Sequence, residues 1–327
     1  MAENLNEKKP DQEPFRFFSL SHPNKLGLGF NGFSQNPPSP PPPPPPPPPC
    51  VEVLLSNPEV SSSSVKYTME SIYLIGDLTL HKGRVSTKDV FGVSNSDLVP
   101  GKYEGGLKLW EGSLDLVKTL YNESQEGKLS LKGKRVLELG CGHGLPGIFT
   151  CLEGAAVIHF QDFNAEVLQC LTIPNVKANL AKDPLLQHSS HTNEMEKKTS
   201  SEIRFFAGDW SEIHKLLSHN STSECQQGPE SSSNHDCRDG YDIILMAETV
   251  YSLSSLHNLY ELIKKCLSRP LGVVYLAAKK HYFGVGGGTR QFRHIVAEDG
   301  IMEACLIAEV ADGSSNVREV WKFTLRQ

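Results

Sequence analysis

No run of about eighteen apolar residues occurs in the chain, so no segment reads as a membrane-crossing helix. The opening residues, Met1 to Lys9, lack the apolar core of a secretory signal, and no export leader is expected. Positive charge is in short supply. Thirty-two basic residues face 38 acidic ones, for a net charge of −6. Without a long basic run, direct binding to a nucleic-acid backbone is not expected. No Gly-Lys-Ser/Thr follows the glycines at 284–288, which excludes a P-loop there. Cys225, His235 and Cys237, with His214 and His219 nearby, match no standard zinc spacing and read as a solvated loop, so no metal site is expected. Eight cysteines are scattered along the chain. Cys141, Cys151, Cys170, Cys266 and Cys305 fall in expected core elements or tight turns. That is the usage of reduced cysteine in a cytoplasmic or nuclear protein.

What is present divides unevenly. Residues 1–66 read as disordered and rich in proline and serine. Pro37-Pro-Ser-Pro40 leads into an unbroken run from Pro41 to Pro49, which forms an extended polyproline II rod. It is either a ligand for SH3, WW or profilin-type modules or a stiff spacer, and no basic anchor flanks it. Residues 67–327 read as one folded domain with polar loop insertions at 183–200 and 218–240.

The domain is organised around Arg135-Val-Leu-Glu-Leu-Gly-Cys-Gly-His-Gly-Leu-Pro-Gly147. A short apolar strand runs into a glycine turn, and Pro146 suits the first turn of a helix behind it. Gly140, Gly142 and Gly144 give the turn conformational freedom and let a ligand approach the backbone. Gly142 to Gly147 matches the dinucleotide pattern G-x-G-x-x-G literally, a weak signal alone. The wider pattern, with Glu138 at the strand end and a glycine at every second position, better fits S-adenosylmethionine (SAM). That cofactor carries a cationic amino group and a sulfonium but no phosphate, which suits a nearby carboxylate.

The elements around this turn supply further candidates. Leu114, Val117 and Leu120, with Leu116 alongside, make one face of a helix headed by Trp110, which is either core or a wall of the cofactor pocket. Ala156 to Phe160 is a second strand. It delivers Asp162 about twenty residues past the glycines, where an acid accepts from ribose hydroxyls; otherwise Asp162 caps the next helix. Asn164 is the better cap and also stands among the cofactor contacts. That helix is expected to break at Pro174. A third strand ends at Asp209-Trp210, facing the adenine or capping a helix. A buried fourth strand from Tyr241 ends at Ala247 and delivers Glu248-Thr-Val-Tyr251. A fifth ends at Lys279-Lys280-His281. There the lysines meet an acidic substrate or are solvated, and His281 is a base or structural. A mobile glycine-rich loop and a terminal antiparallel strand pair follow.

Several stretches resemble the histidine protein methyltransferases of the methyltransferase-like superfamily. They are Lys108-Leu-Trp110-Glu111, Leu137-Glu-Leu-Gly-Cys-Gly142 with Gly-Leu-Pro-Gly147, Phe160-Gln-Asp-Phe-Asn164, Thr172-Ile-Pro-Asn175, Gly208-Asp-Trp210, Glu248-Thr-Val-Tyr251 and Ala277-Ala-Lys-Lys-His-Tyr-Phe-Gly-Val-Gly-Gly-Gly288. The resemblance covers residues 67–327 and implies an α/β fold, the Rossmann-like Class I methyltransferase sheet of seven strands with helices on both faces. It implies SAM as cofactor and methylation of an imidazole nitrogen on a protein substrate, a large-subunit ribosomal protein, in cytosol and nucleus. Related lysine methyltransferases carry Asp-x-x-Tyr after the fourth strand. Glu248 departs from that pattern, and Glu248 and Tyr251 are the catalytic candidates. Rival readings are a lysine or small-molecule methyltransferase and a non-catalytic proline-rich scaffold.

Overall fold

The structure of the protein, a computed structural model, describes residues 47–55, 65–94, 96–181, 201–219, 240–311, 313 and 316–327. Most of the proline-rich head, and nearly all of both polar insertions, lie outside those residues.

The described chain opens with β1 (Val51–Glu52), a hairpin of β2 (Thr68–Ile75) and β3 (Leu78–Arg84), α1 (Thr87–Phe91) and α2 (Glu111–Gln125). Then come β4 (Arg135–Leu139), α3 (Leu145–Leu152), β5 (Val157–Asp162), α4 (Ala165–Val167), a π-helical turn (Leu168–Thr172) and α5 (Ile173–Leu180). They are followed by β6 (Glu202–Ala207), α6 (His214–His219), β7 (Ile243–Ala247), α7 (Leu256–Cys266) and β8 (Val273–Lys279). The last elements are α8 (Thr289–Asp299), β9 (Met302–Ala311) and β10 (Val317–Leu325). Among the described residues no helix is long and apolar enough to cross a membrane.

One sheet of eight strands runs in the order β1-β6-β5-β4-β7-β8-β10-β9, and the β2–β3 hairpin stands apart from it. Neighbours from β6 to β8 are parallel, while β10 and β9 close the far edge antiparallel. This is the expected Class I layout with one strand more than the seven expected. The addition, β1, lies inside the segment read as disordered. Val51 and Glu52 pair with Ala207 and Phe206, and the Val53 N–H donates to the Phe205 carbonyl at 2.8 Å. Arg204 also grips Glu52 with two hydrogen bonds at 2.7 and 2.6 Å. Two residues are too few for a strand period to show, and their partners lie far along the chain.

Alternation along β4 assigns each side chain to a face. Val136 joins the core under α2, α3 and α5, while Leu137 and Leu139 join the core under α7 and α8. Burying each such aliphatic side chain is worth about 1.5–3 kcal/mol. By the same alternation Glu138 points to the α3 side. Strands buried on both faces read as near-continuous apolar runs, as 243–247 does.

Two local expectations are corrected. Pro174 does not break the helix, because the π-helical turn precedes it and lets α4 and α5 run on as one rod. A widened turn absorbs the proline ring that an unbroken α-helical ladder would reject. Cys141 and Cys266 are buried as expected, but Cys305 is exposed on β9, the sheet's outer edge.

Asn175 ties the hairpin to the glycine turn. Its side chain is fully buried, accepts from Gly83 N at 2.6 Å and Tyr67 Oη at 3.0 Å, and donates to the His143 carbonyl at 2.9 Å. Asn175→Ala leaves these groups unpaired and is expected to cost about 2–4 kcal/mol. The melting temperature should fall by several degrees in calorimetry; an unchanged melting temperature would remove this tie from the account.

Candidate functional site

The parallel strands reverse their order of addition at β4, with β5 on one side and β7 on the other, and such a switch point opens a crevice at the strand ends. β4 runs into it as a turn in which Gly140, Gly142 and Gly144 have φ of 60°, 47° and 70°. A Cβ on Gly142 would lie 3.0 Å from the Gly106 carbonyl oxygen, and one on Gly140 would lie 2.8 Å from Thr249 Cγ2. The protein's own chain, packed over both sides of the turn, therefore demands glycine there, independently of any ligand. Gln161, fully buried, holds the turn from β5. Its Oε1 accepts from Gly140 N at 3.3 Å and Trp210 Nε1 at 2.9 Å, and its Nε2 donates to the Gly208 carbonyl at 2.9 Å.

A cavity of about 590 Å³ occupies this crevice. Its wall brings together Trp110, Gly140, Gly142 and Asp162 with Asp209, Trp210, Ala247, Glu248 and Tyr251. Trp110 is fixed there by its Nε1, which donates to the Gly105 carbonyl at 3.0 Å. Asp209 is partly committed to its own turn, accepting from Ser211 N at 2.9 Å and Ser211 Oγ at 2.6 Å.

Three candidates stand outside that wall. Glu138 faces α3, where it accepts from Gly147 N at 2.7 Å, and burial pushes its pKa up to about 8. Gly144 is the N-cap of α3. Asn164 clamps the loop before α2, donating to the Lys102 carbonyl at 2.8 Å and accepting from Glu104 N at 3.1 Å. His281 and Lys280 also lie outside it, and Lys280 pairs with Glu319 at 3.3 Å. The glycine loop expected to be mobile is pinned, with Gly287 N and Gly288 N donating to the Tyr251 and Val250 carbonyls at 3.0 and 2.8 Å.

The wall's charge is one-sided. Glu104, Asp162, Asp209 and Glu248 bring four carboxyl groups, against the single ammonium of Lys108. That ammonium is bonded to Asp97 at 2.6 Å and lies 4.7 Å from the centre of the Trp110 ring. His143, also in the wall, is pushed down to about pKa 4 by burial and is neutral at pH 7. The acceptor-rich wall fits a cationic or polyhydroxyl ligand and disfavours a pyrophosphate. A buried hydroxyl, Thr249 Oγ1, finds no partner among the described residues and belongs to a side chain of the same wall.

Glu248 follows β7 in a left-handed conformation, φ 59°, the one such non-glycine among the described residues. It is buried. Its Oε1 accepts from Gly112 N at 3.2 Å near the start of α2, and its Oε2 accepts a short bond from the Tyr282 phenol. Burial pushes its carboxyl up, against the opposing bond from Tyr282. Tyr251 donates a short bond to Glu104 Oε2, and burial pushes the phenol well up. Sequence reasoning missed Glu104, Gln161 and Thr249. Glu104 stands two residues after a turn, and nothing local distinguishes it from a solvated loop acid.

No family model matches the chain. Over 232 residues it is 38% identical to the histidine protein methyltransferase 1 homolog of Dictyostelium discoideum, covering 71% of this chain and 62% of that protein. With the Mus musculus homolog the identity is 39% over 229 residues, covering 67% and 57%. The Saccharomyces cerevisiae histidine protein methyltransferase 1 is 31% identical over 229 residues, covering 62% and 59%. The chain thus spans less than two thirds of the length of these curated relatives. Among solved structures, a T. thermophilus 16S rRNA N2 G1207 methyltransferase aligns at 13% identity and a TM-score of 0.45, covering 80% of this chain and 51% of that one.

Proposed function

From this chain's kinship with the histidine protein methyltransferases, we propose that it is a SAM-dependent enzyme that methylates a histidine imidazole nitrogen on a protein. The observation that carries the proposal is the wall of the crevice, four carboxyl groups around a glycine turn with one ammonium already paired. SAM is a cationic nucleoside without phosphate and fits that set of acceptors. Gly140 and Gly142 shape the floor, Asp162 takes the ribose hydroxyls, and Asp209 with Trp210 takes the adenine. Trp110 and Ala247 are walls. Glu138, Gly144 and Asn164 act from behind, holding α3 and the loop before α2. A nucleoside laid from β6 across β5 to β4 leaves its far end toward β7, where Glu248 and Tyr251 face the acceptor.

SAM when bound supplies a methyl group already activated on a sulfonium. The chain's own task is to align a nitrogen lone pair with that methyl and to exclude water. The finer substrate is a large-subunit ribosomal protein, met in cytosol and nucleus. The proline run offers an SH3, WW or profilin-type module a ligand, and Pro47 within it joins the cavity wall.

The test is to incubate the purified protein and SAM with large-subunit ribosomal proteins made unmodified in a bacterial host. Tandem mass spectrometry then locates new methyl groups. Methylhistidine is expected; methyllysine would move the acceptor to the lysine class, and absence of SAM binding would end the proposal. Glu248→Gln is expected to cut turnover about a hundredfold while SAM affinity stays within about threefold. Equal loss of both would make Glu248 a cofactor residue instead.

A further inference from the structure

The cavity contains a second carboxylate–phenol pair that the sequence motifs do not announce. Glu104 and Tyr251 both line the wall, and the Tyr251 hydroxyl donates to Glu104 Oε2 in a short bond. Glu104 Oε1 takes only a surface turn's N–H, from Gly101 at 3.2 Å. A carboxylate offers about four acceptor directions, so the group retains capacity toward the cavity. No ion pair of Glu104 occurs among the described residues.

Glu248 has two donors as well, but their origin differs. Gly112 N belongs to the backbone of α2, and Tyr282 is a buried phenol outside the cavity wall. Glu248 therefore joins α2, β7 and the segment after β8, and each of its oxygens already holds a scaffold donor while its side chain lines the wall. Glu104 is half-buried, and its partner Tyr251 is itself a wall residue.

The loop that carries Glu104 is preorganised. Asn164 holds the Glu104 N–H and the Lys102 carbonyl, Trp110 Nε1 holds the Gly105 carbonyl, and Gly106 packs on Gly142. A side chain so fixed can set the orientation of a bound ring. A neutral imidazole is nucleophilic at one nitrogen only, and the other carries a proton that needs an acceptor.

We propose that Glu104, braced by Tyr251, accepts the N–H of the target imidazole and thereby decides which ring nitrogen is methylated. The inference rests on the histidine methyltransferase reading above. The lone pair of the free ring nitrogen forms the new N–CH3 bond as the methyl–sulfur bond breaks, leaving its electron pair on sulfur. The ring is then a cation beside a carboxylate, which stabilises the charge as it develops. The N–H proton passes to Glu104, which is only half-buried, and from there to solvent.

Glu104→Ala tests this directly. Alanine removes the acceptor, so no ring N–H is held and the ring can turn to present either nitrogen to the methyl. Wild-type protein and the variant, in stoichiometric amount over long incubation, are given SAM and the same bacterially made ribosomal proteins. The products are hydrolysed, and the two ring isomers of methylhistidine are separated against standards. One isomer is expected from the wild type and a mixture from the variant, with turnover lower by about a hundredfold. Glu104→Asp should restore a single isomer. SAM affinity by calorimetry should stay within about threefold in both variants. A single isomer from Glu104→Ala, or SAM affinity falling in step with turnover, overturns the assignment. Wild-type protein that binds SAM but yields no methylhistidine would instead sink the histidine reading, and this inference with it.

Discussion

Asp162→Ala should weaken SAM binding by at least about a hundredfold and remove methyl transfer with it. Asp162 closes β5 and is 4% exposed, yet its side chain belongs to the cavity wall. Oδ2 accepts from Gly142 N at 2.9 Å, and Oδ1 accepts from Asn164 N at 3.1 Å. The same carboxylate that would meet the ribose therefore also fixes the glycine turn. Alanine removes both, and each charge-assisted hydrogen bond is worth about 1.5–3 kcal/mol. A hundredfold loss corresponds to about 2.7 kcal/mol, so one such bond at the upper end of that range suffices and two would exceed it.

The same group gives the binding a pH dependence. Burial pushes the Asp162 carboxyl up to about 6, against the backbone N–H bonds that favour its charged form. The ionised form accepts hydroxyl donors, so SAM affinity should rise as pH climbs through about 6 and level off above it. Calorimetry at pH 5 and pH 8 measures both points. Affinity within threefold of wild type for Asp162→Ala at pH 8 would remove Asp162 from the cofactor site.

How far the site can be read without coordinates depends on where each contact originates. The glycine turn, Asp162 and the segment after β7 were legible because strand ends and tight turns impose local chemistry. Their shared crevice follows from the order of the βα units. Glu138 shows the limit of that reasoning. It sits at the right strand end, but alternation along β4 puts it on the face of Val136, toward α3 and away from the cavity. Glu104 shows a second limit, since its standing comes from Tyr251, which lies 147 residues away. β1 was hidden for the same reason, its pairing energy residing in Phe206 and Ala207. The glycines were legible as glycines, but the cause assigned to them was incomplete. Gly106 and Thr249 crowd the turn before any ligand does.

That inward turn of Glu138 carries the second large effect, on stability. Its carboxyl is pushed up from 4.5 to about 8, first by burial and then by the neighbouring Asp162, against the Gly147 N–H bond. Between those pH values the folded chain keeps a proton that the unfolded chain has released. The folded state thus binds more protons there, and its stability declines as pH rises across that window. Glu138→Gln cannot ionise, and its amide oxygen can still accept from Gly147 N. The variant should match the wild type near pH 4.5 and exceed it at pH 8.5 by on the order of a few kcal/mol. In a domain of this size, that is several degrees in melting temperature. Thermal melts of both proteins across pH 4.5–8.5, without cofactor, measure the divergence. Parallel curves would mean that Glu138 is already ionised in the folded chain at neutral pH. The Gly147 N–H and the opening turn of α3 would then be holding a buried charge, and the acid at the end of β4 would be an electrostatic anchor for that helix.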